Sequence, residues 1–169
     1  MVQKLKTAKK ICLIIGSGAN PSNELELTQI QEFIKNYRLL TLSTYKAAQI
    51  LSKEDPLNMG LIGIYPSNTL DFLDDIDTFI TIGVSFSQLL ITPLVSQLKR
   101  AHIISINPNK YHSHPDITID QQIHDTTYSF LQKLPKTPAY PSISVKAKKS
   151  RIITNSYTRI LNKLSDYYK

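Results

Sequence analysis

The chain has 169 residues, one cysteine, no tryptophan and a formal net charge of +7. That size suits one domain of ordinary dimensions, and the single cysteine excludes a disulfide framework and a four-cysteine zinc site. The charge is uneven: residues 1–134 carry 12 basic and 12 acidic side chains, while residues 135–169 carry 8 basic side chains against Asp166 alone. A neutral body offers no basic face, and no aromatic platform accompanies the tail, so nucleic acid is not an expected partner.

In chain order, residues 3–10 form a basic lead-in. The apolar run 11–15 that follows is shorter than a signal core and far too short to span a bilayer, so a cytoplasmic protein with no membrane span is expected. This run is the first predicted strand, with Cys12 as a buried strand residue. A helix from Ser22 or Asn23 to Tyr37 follows, because either residue is a good N-cap and Glu24 and Glu26 suit the first turn. Its buried stripe is Leu27, Ile30, Phe33, Ile34 and Tyr37.

Residues 39–43 are the second predicted strand. A short helix over 45–51 leads to a loop over 55–66, and Ser67 caps a helix through Leu73. Strands are predicted over 78–82 and 102–106, with a helix from about Ser87 to Arg100 between them. Residues 117–119 are a candidate fifth strand, and 123–134 a closing helix. Strands and helices alternating at this spacing predict a Rossmann-like α/β fold. Its parallel sheet has five or six strands with helices on both faces. Pro135, Pro138 and Pro141 mark the exit from this domain, 1–134, into a basic linker and tail, 135–169. The tail holds a helical candidate over 153–167 with Ile160, Leu161 and Leu164 on one side.

Three apolar strands end in small or polar residues, which is how α/β sheets build a ligand-binding edge. Gly16-Ser17-Gly18 follows the first strand, and its N–H groups suit either an anion or a tight strand-to-helix turn. The dinucleotide fingerprint is incomplete, with Pro21 in place of the third glycine and Thr41-Leu42-Ser43-Thr44 lacking an acid for a ribose. Gly83-Val84-Ser85-Phe86-Ser87 follows 78–82, and its serines suit a phosphate or a helix cap. Gly60-Leu61-Ile62-Gly63 is a loop whose backbone could approach a ligand closely. Asn107 ends the strand 102–106. His112, His114 and Asp116 alternate as metal ligands or as a polar surface loop, and with too few converging groups no metal site is assigned. Asp71, Asp74, Asp75 and Asp77 form a solvated acidic face. No catalytic residue is assigned, since no nucleophile–base order or buried base is present.

Several segments together resemble the central domain of thiamine-diphosphate-dependent enzymes, most closely acetolactate-synthase-like members. They are Leu5-Lys6-Thr7-Ala8-Lys9-Lys10-Ile11 leading to Gly16-Ser17-Gly18; Asp55-Pro56-Leu57-Asn58-Met59-Gly60-Leu61-Ile62-Gly63-Ile64; residues 77–83; and Ala101-His102-Ile103-Ile104-Ser105-Ile106-Asn107-Pro108. The second is the most specific. The resemblance implies a nucleotide cleft in which Gly16, Ser17, Gly18, Gly60, Gly63, Gly83, Ser85 and Asn107 contact FAD or another nucleotide. It also implies that thiamine diphosphate is not bound by this chain alone, because the outer domains that hold it do not fit in 10 residues before the first strand and 35 after the last helix. The family's activating glutamate and metal motif are missing. Tyr65-Pro66 stands where the family has His-Gly, and Ser85 where it has an arginine.

The expected role is therefore a nucleotide-binding or structural subunit without its own active site, working with a protein partner or as a homo-oligomer. The alternative is an FAD- or nucleotide-binding subunit of a split enzyme or redox complex. Ile82-Gly83-Val84 and residues 111–116 resemble the epsilon subunit of the carbon monoxide dehydrogenase/acetyl-CoA synthase complex. Ile82-Gly83-Val84-Ser85 followed by Ile106-Asn107 is similar to sirtuins, a more distant NAD-binding comparison.

Overall fold

In a computed structural model, residues 10–62, 71–87, 91–109 and 114–134 are described. The lead-in over 3–9, Gly63, Tyr65-Pro66, the start of the helix expected from Ser67, His112 and the tail over 135–169 lie outside them.

Six parallel strands form one sheet: β1 (Ile11–Ile15), β2 (Leu40–Ser43), β3 (Asn58–Leu61), β4 (Thr78–Ile82), β5 (His102–Ile106) and β6 (Gln121–Ile123), in the order β3-β2-β1-β4-β5-β6. That is the doubly wound order whose switch point, where the winding reverses, lies between β1 and β4. The central strands are continuous apolar runs because both of their faces are covered. Every residue of β4 is buried, as are the last four of β1 and of β5.

Alternation splits these side chains between two cores. Leu13, Ile15, Ile80, Ile82, Ile104 and Ile106 pack with Ile30, Phe33 and Ile34 of α1 (Glu24–Asn36) and Phe130 of α3 (Thr127–Gln132). Phe33 and Phe130 meet edge to face, ring centres 6.4 Å apart, which ties the two helices together. Cys12, Ile14, Leu40, Leu42, Phe79 and Ile103 pack on the other face with Val84, Phe86, Leu94 and Leu98 of α2 (Val95–Arg100). Helices therefore cover both faces.

Several elements differ from the sequence expectation. Asn58–Leu61, expected as loop, is the edge strand β3. The strand expected over 117–119 lies instead at Gln121–Ile123. Ile117 closes a turn through its N–H to His114 O (3.0 Å) and sinks into the core. Of the helix expected over 87–100, the described part has an α-helical Ile91 whose N–H donates to Ser87 O at 3.1 Å, then a 3-10 turn around Pro93 (Thr92–Leu94), then α-helix over Val95–Arg100. The segment expected as a helix over 45–51 is a single 3-10 turn, Tyr45–Ala47.

The end of α1 is unusual. Its C-cap is Tyr37, and the next residue, Arg38, takes a left-handed φ of 50° so that Leu39 N–H can return to Ile34 O at 3.0 Å. Glycine is the residue that adopts this conformation without steric cost.

Candidate functional site

The strands' carboxyl ends bring the turns after β1, β4 and β5 together. Gly16 N–H donates to Ile82 O and Gly18 N–H to Gly83 O, both at 2.9 Å. Gly83 N–H in turn donates to Ile106 O at 3.0 Å. The glycines are required by this contact between turns. A Cβ on Gly16 would lie 2.2 Å from Gly83 O, and one on Gly83 would lie 2.2 Å from Ala19 N. Gly83 also has φ +61°, which side chains other than glycine rarely adopt. At the switch point the space beside the glycines is filled by the protein's own backbone.

The first helix adds to this closure. Residues 17–19 form a 3-10 turn, and α1 begins only at Glu24. Asn23 Oδ1 accepts the Glu26 N–H at 2.9 Å, and Glu26 Oε2 accepts the Ser22 N–H at 2.7 Å. This reciprocal capping occupies donors that an anion would use, and Glu24 and Glu26 put negative charge in the first turn of α1. A diphosphate laid on Gly16-Ser17-Gly18 would have to displace the two glycine hydrogen bonds. The β1–α1 turn does not fit that group.

The β4–β5 side is different. Ser85 is exposed, and Asn107 is buried (3% exposed). Asn107 Nδ2 donates to Val84 O at 3.3 Å, while its Oδ1 accepts the Asn109 N–H at 3.2 Å. Asn107 therefore fastens the end of β5 to the turn after β4. One step inside the strands, Gly60, Leu42, Ile14, Thr81, Ser105 and Gln122 stand in register across the sheet. The three on β3, β2 and β1 carry no polar side chain, and the three on β4, β5 and β6 all do. Thr81 and Ser105 are buried, and the Thr81 hydroxyl has no hydrogen-bond partner.

Gly60 lies on β3, at the far side of this edge, with φ +104° at a bulge where Met59 is the extra residue opposite Thr41 and Leu42. Asn58 builds the bulge. Its Oδ1 accepts the Gly60 N–H at 2.9 Å, and its Nδ2 reaches Ser52 O at 2.9 Å. Asp55 Oδ1 accepts the Leu57 N–H at 2.9 Å. Thus Asp55, Asn58 and Gly60 of the most specific sequence motif act on the backbone that shapes the edge. Gly63 lies outside the described residues.

The acidic residues 71–77 sit at the opposite, amino edge. Asp74 receives Gln97 and Arg100, whose hydrogen bonds hold its carboxyl below the usual carboxylate range, and Lys10 pairs with Asp75. Asp74 and Asp75 are exposed, as expected for a solvated face, whereas Asp77 is half-buried and its Oδ2 accepts the Lys10 N–H at 3.3 Å. His114 is buried, and its Nδ1 accepts the Asp116 N–H at 3.1 Å, so it is a turn-fixing residue and not part of a polar surface loop. Among the described residues no group of three or more His, Cys, Asp or Glu is placed to hold a metal ion. Burial pushes the Cys12 thiol well up, and it is inert in the sheet.

A protein-family model described as thiamine pyrophosphate enzyme, central domain, matches residues 1–134. The chain belongs to that family. The match ends two residues after α3, and the six-stranded parallel sheet is the family domain's structural body in this protein. No curated protein matches the chain. Among the described residues, no helix of this central domain is long and apolar enough to cross a membrane.

The sequence marks the glycines as edge residues, whereas the parts played by Thr81, Ser105 and Asn58 do not stand out in it. The signal for the first two is a hydroxyl two residues before each strand-end turn, Thr81 before Gly83 and Ser105 before Asn107. Inside an apolar run each passes as a strand residue.

Proposed function

We propose that the chain is a structural, partner-binding subunit of the thiamine pyrophosphate enzyme central-domain family that carries out no chemistry by itself. One observation carries this reading: the glycine N–H groups of the first turn are bonded to the turn after β4, which leaves that turn no seat for a cofactor diphosphate. Two features support a partner or a second copy of the chain. Leu25 and Tyr45 are large apolar side chains left 59% and 58% exposed, and β3 and β6 are the outermost strands of the sheet among the described residues. The work would then be done in the cytoplasm by the assembly. Light scattering on the purified chain, with mass spectrometry of what co-purifies, tests this. A homo-oligomer or a defined complex supports the reading; a monomer that carries out turnover alone overturns it.

A second reading, an FAD- or nucleotide-binding subunit of a split enzyme or redox complex, is favoured by the uncharged polar residues at the ends of β4 and β5. Protein purified with added FAD distinguishes the two. Stoichiometric flavin absorbance retained after desalting supports the second reading, and colourless protein supports the first.

A further inference from the structure

The outer face of α1 differs from the rest of the described surface in two ways. The first is apolar exposure. Leu25 and Tyr45 are the two large apolar side chains left mostly open among the described residues. Asn20 Nδ2 donates to Lys46 O at 3.1 Å, which holds the turn after β2 against the turn that leads into α1. Leu25 and Tyr45 therefore belong to the same end of one layer. At helical spacing Thr28 and Glu32 continue the stripe from Leu25, and both are exposed.

The second difference is charge. At the amino edge the exposed carboxylates are already matched, Asp74 by Arg100 and Asp75 by Lys10. The helix α1 carries Glu24, Glu26 and Glu32 against Lys35 alone. None of these three glutamates is in an ion pair among the described residues. The face thus offers apolar surface rimmed by unmatched negative charge.

The complement lies in the same chain. Residues 135–169 carry 8 basic side chains against Asp166. Within them Ile153, Tyr157, Ile160, Leu161 and Leu164 recur at helical spacing, an apolar stripe that needs a surface to cover. The body ends beside the acidic face: Leu131 and Leu134 pack against the core that α1 covers, and Phe130 meets Phe33. Residues 135–152 can span at most about 60 Å. The 13 residues of α1 extend only about 20 Å, so every point along it is within reach of the stripe. Tethering makes such a contact intramolecular, and even a weak one is then populated.

We propose that the tail segment 153–167 docks on the outer face of α1 of its own chain, its apolar side over Leu25 and Tyr45 and its basic side chains against Glu24 and Glu32. The inference goes beyond the assembly reading and stands without it. A partner that uses the same face has to displace the tail.

The test is paramagnetic broadening of amide signals in the full chain. Asn162→Cys, on the polar side of the stripe, supplies the one reactive thiol for a spin label, because Cys12 is fully buried. The label is expected to broaden Leu25, Thr28 and Tyr45 selectively. Added NaCl should weaken this, as should Glu24→Gln combined with Glu32→Gln. Leu164→Ser, which lies outside the sheet body and cannot unfold it, should at least halve the broadening. No selective broadening at α1 overturns the proposal, as does broadening that Leu164→Ser leaves unchanged. Isotope-labelled chain mixed with spin-labelled, isotope-free chain should show none. Equal broadening in that mixture assigns the face to a second copy's tail and overturns docking within one chain. The lipid arm uses phosphatidylcholine vesicles containing phosphatidylserine. A chain that sediments with them while its α1 signals stay sharp has a membrane-surface tail, which also overturns the proposal. Light scattering reports on assembly separately, so failure of either idea is read without the other.

Discussion

The two halves of the sheet's carboxyl edge solve opposite problems with the same kinds of residue. At β1 and β4, glycines let two turns close on each other, and their N–H groups bond to Ile82 O and Gly83 O. At β4 and β5, Thr81, Ser105 and Asn107 are buried polar side chains; Asn107 is bonded within the chain, and the Thr81 hydroxyl has no partner. Glycine-containing turns at a switch point are therefore not by themselves a phosphate seat. What decides is whether their N–H groups point outward or are already bonded, and whether the next helix offers a free N-terminus.

The largest effect should come from breaking the closed half. Gly83→Ala puts a methyl group 2.2 Å from Ala19 N and 2.3 Å from Gly18 C, both backbone atoms that cannot turn aside. A loss of at least about 3 kcal/mol is expected, read as a fall in the denaturation midpoint. Gly16→Ala should behave alike. Gly18→Ala, whose nearest contacts are at 3.0 Å, should cost clearly less. Equal effects at all three positions would mean that the turns are not packed as described.

Asn107→Ala joins the two halves of the comparison. It leaves Val84 O and the Asn109 N–H without their partner and should cost about 1–3 kcal/mol in chemical denaturation. A change of sign is expected far from the edge. Arg38→Gly relieves the left-handed residue after α1 and should raise stability by up to about 1 kcal/mol, with no effect on any ligand.

The smallest effect is a pH dependence beside β6. Asp125 is held below the ordinary carboxylate range first by its hydrogen bond from Lys133 and then by Ser129. A carboxyl group with a lowered folded-state pKa stabilises the fold above its unfolded value and loses that contribution as pH falls through the folded one. Stability should thus decline below about pH 4, and Lys133→Ala should flatten that decline. The pair is at the surface, so the change is modest.

Much of the fold was legible because β1, β4 and β5 are apolar runs with sharp ends, and α1 announces itself through Asn23, Glu24 and Glu26. The edge strands were not legible for physical reasons. β3 contains Asn58 and Gly60 and forms around side-chain hydrogen bonds and a bulge, not around apolar alternation. β6 is two glutamines and an isoleucine, so nothing in its composition separates it from the helix that follows. At the site, sequence placed the glycines at the right edge. It could not show that residues 16–18 and 83, more than sixty positions apart, fill each other's space, because that is a tertiary contact with no local pattern.

Amide exchange by NMR at Gly16 and Gly18 tests the closed switch point most directly. Both N–H groups should exchange as slowly as the strand amides of β1, and added pyrophosphate should leave their chemical shifts unchanged. Rapid exchange at these two glycines, or a pyrophosphate-induced shift centred on them, would contradict the account.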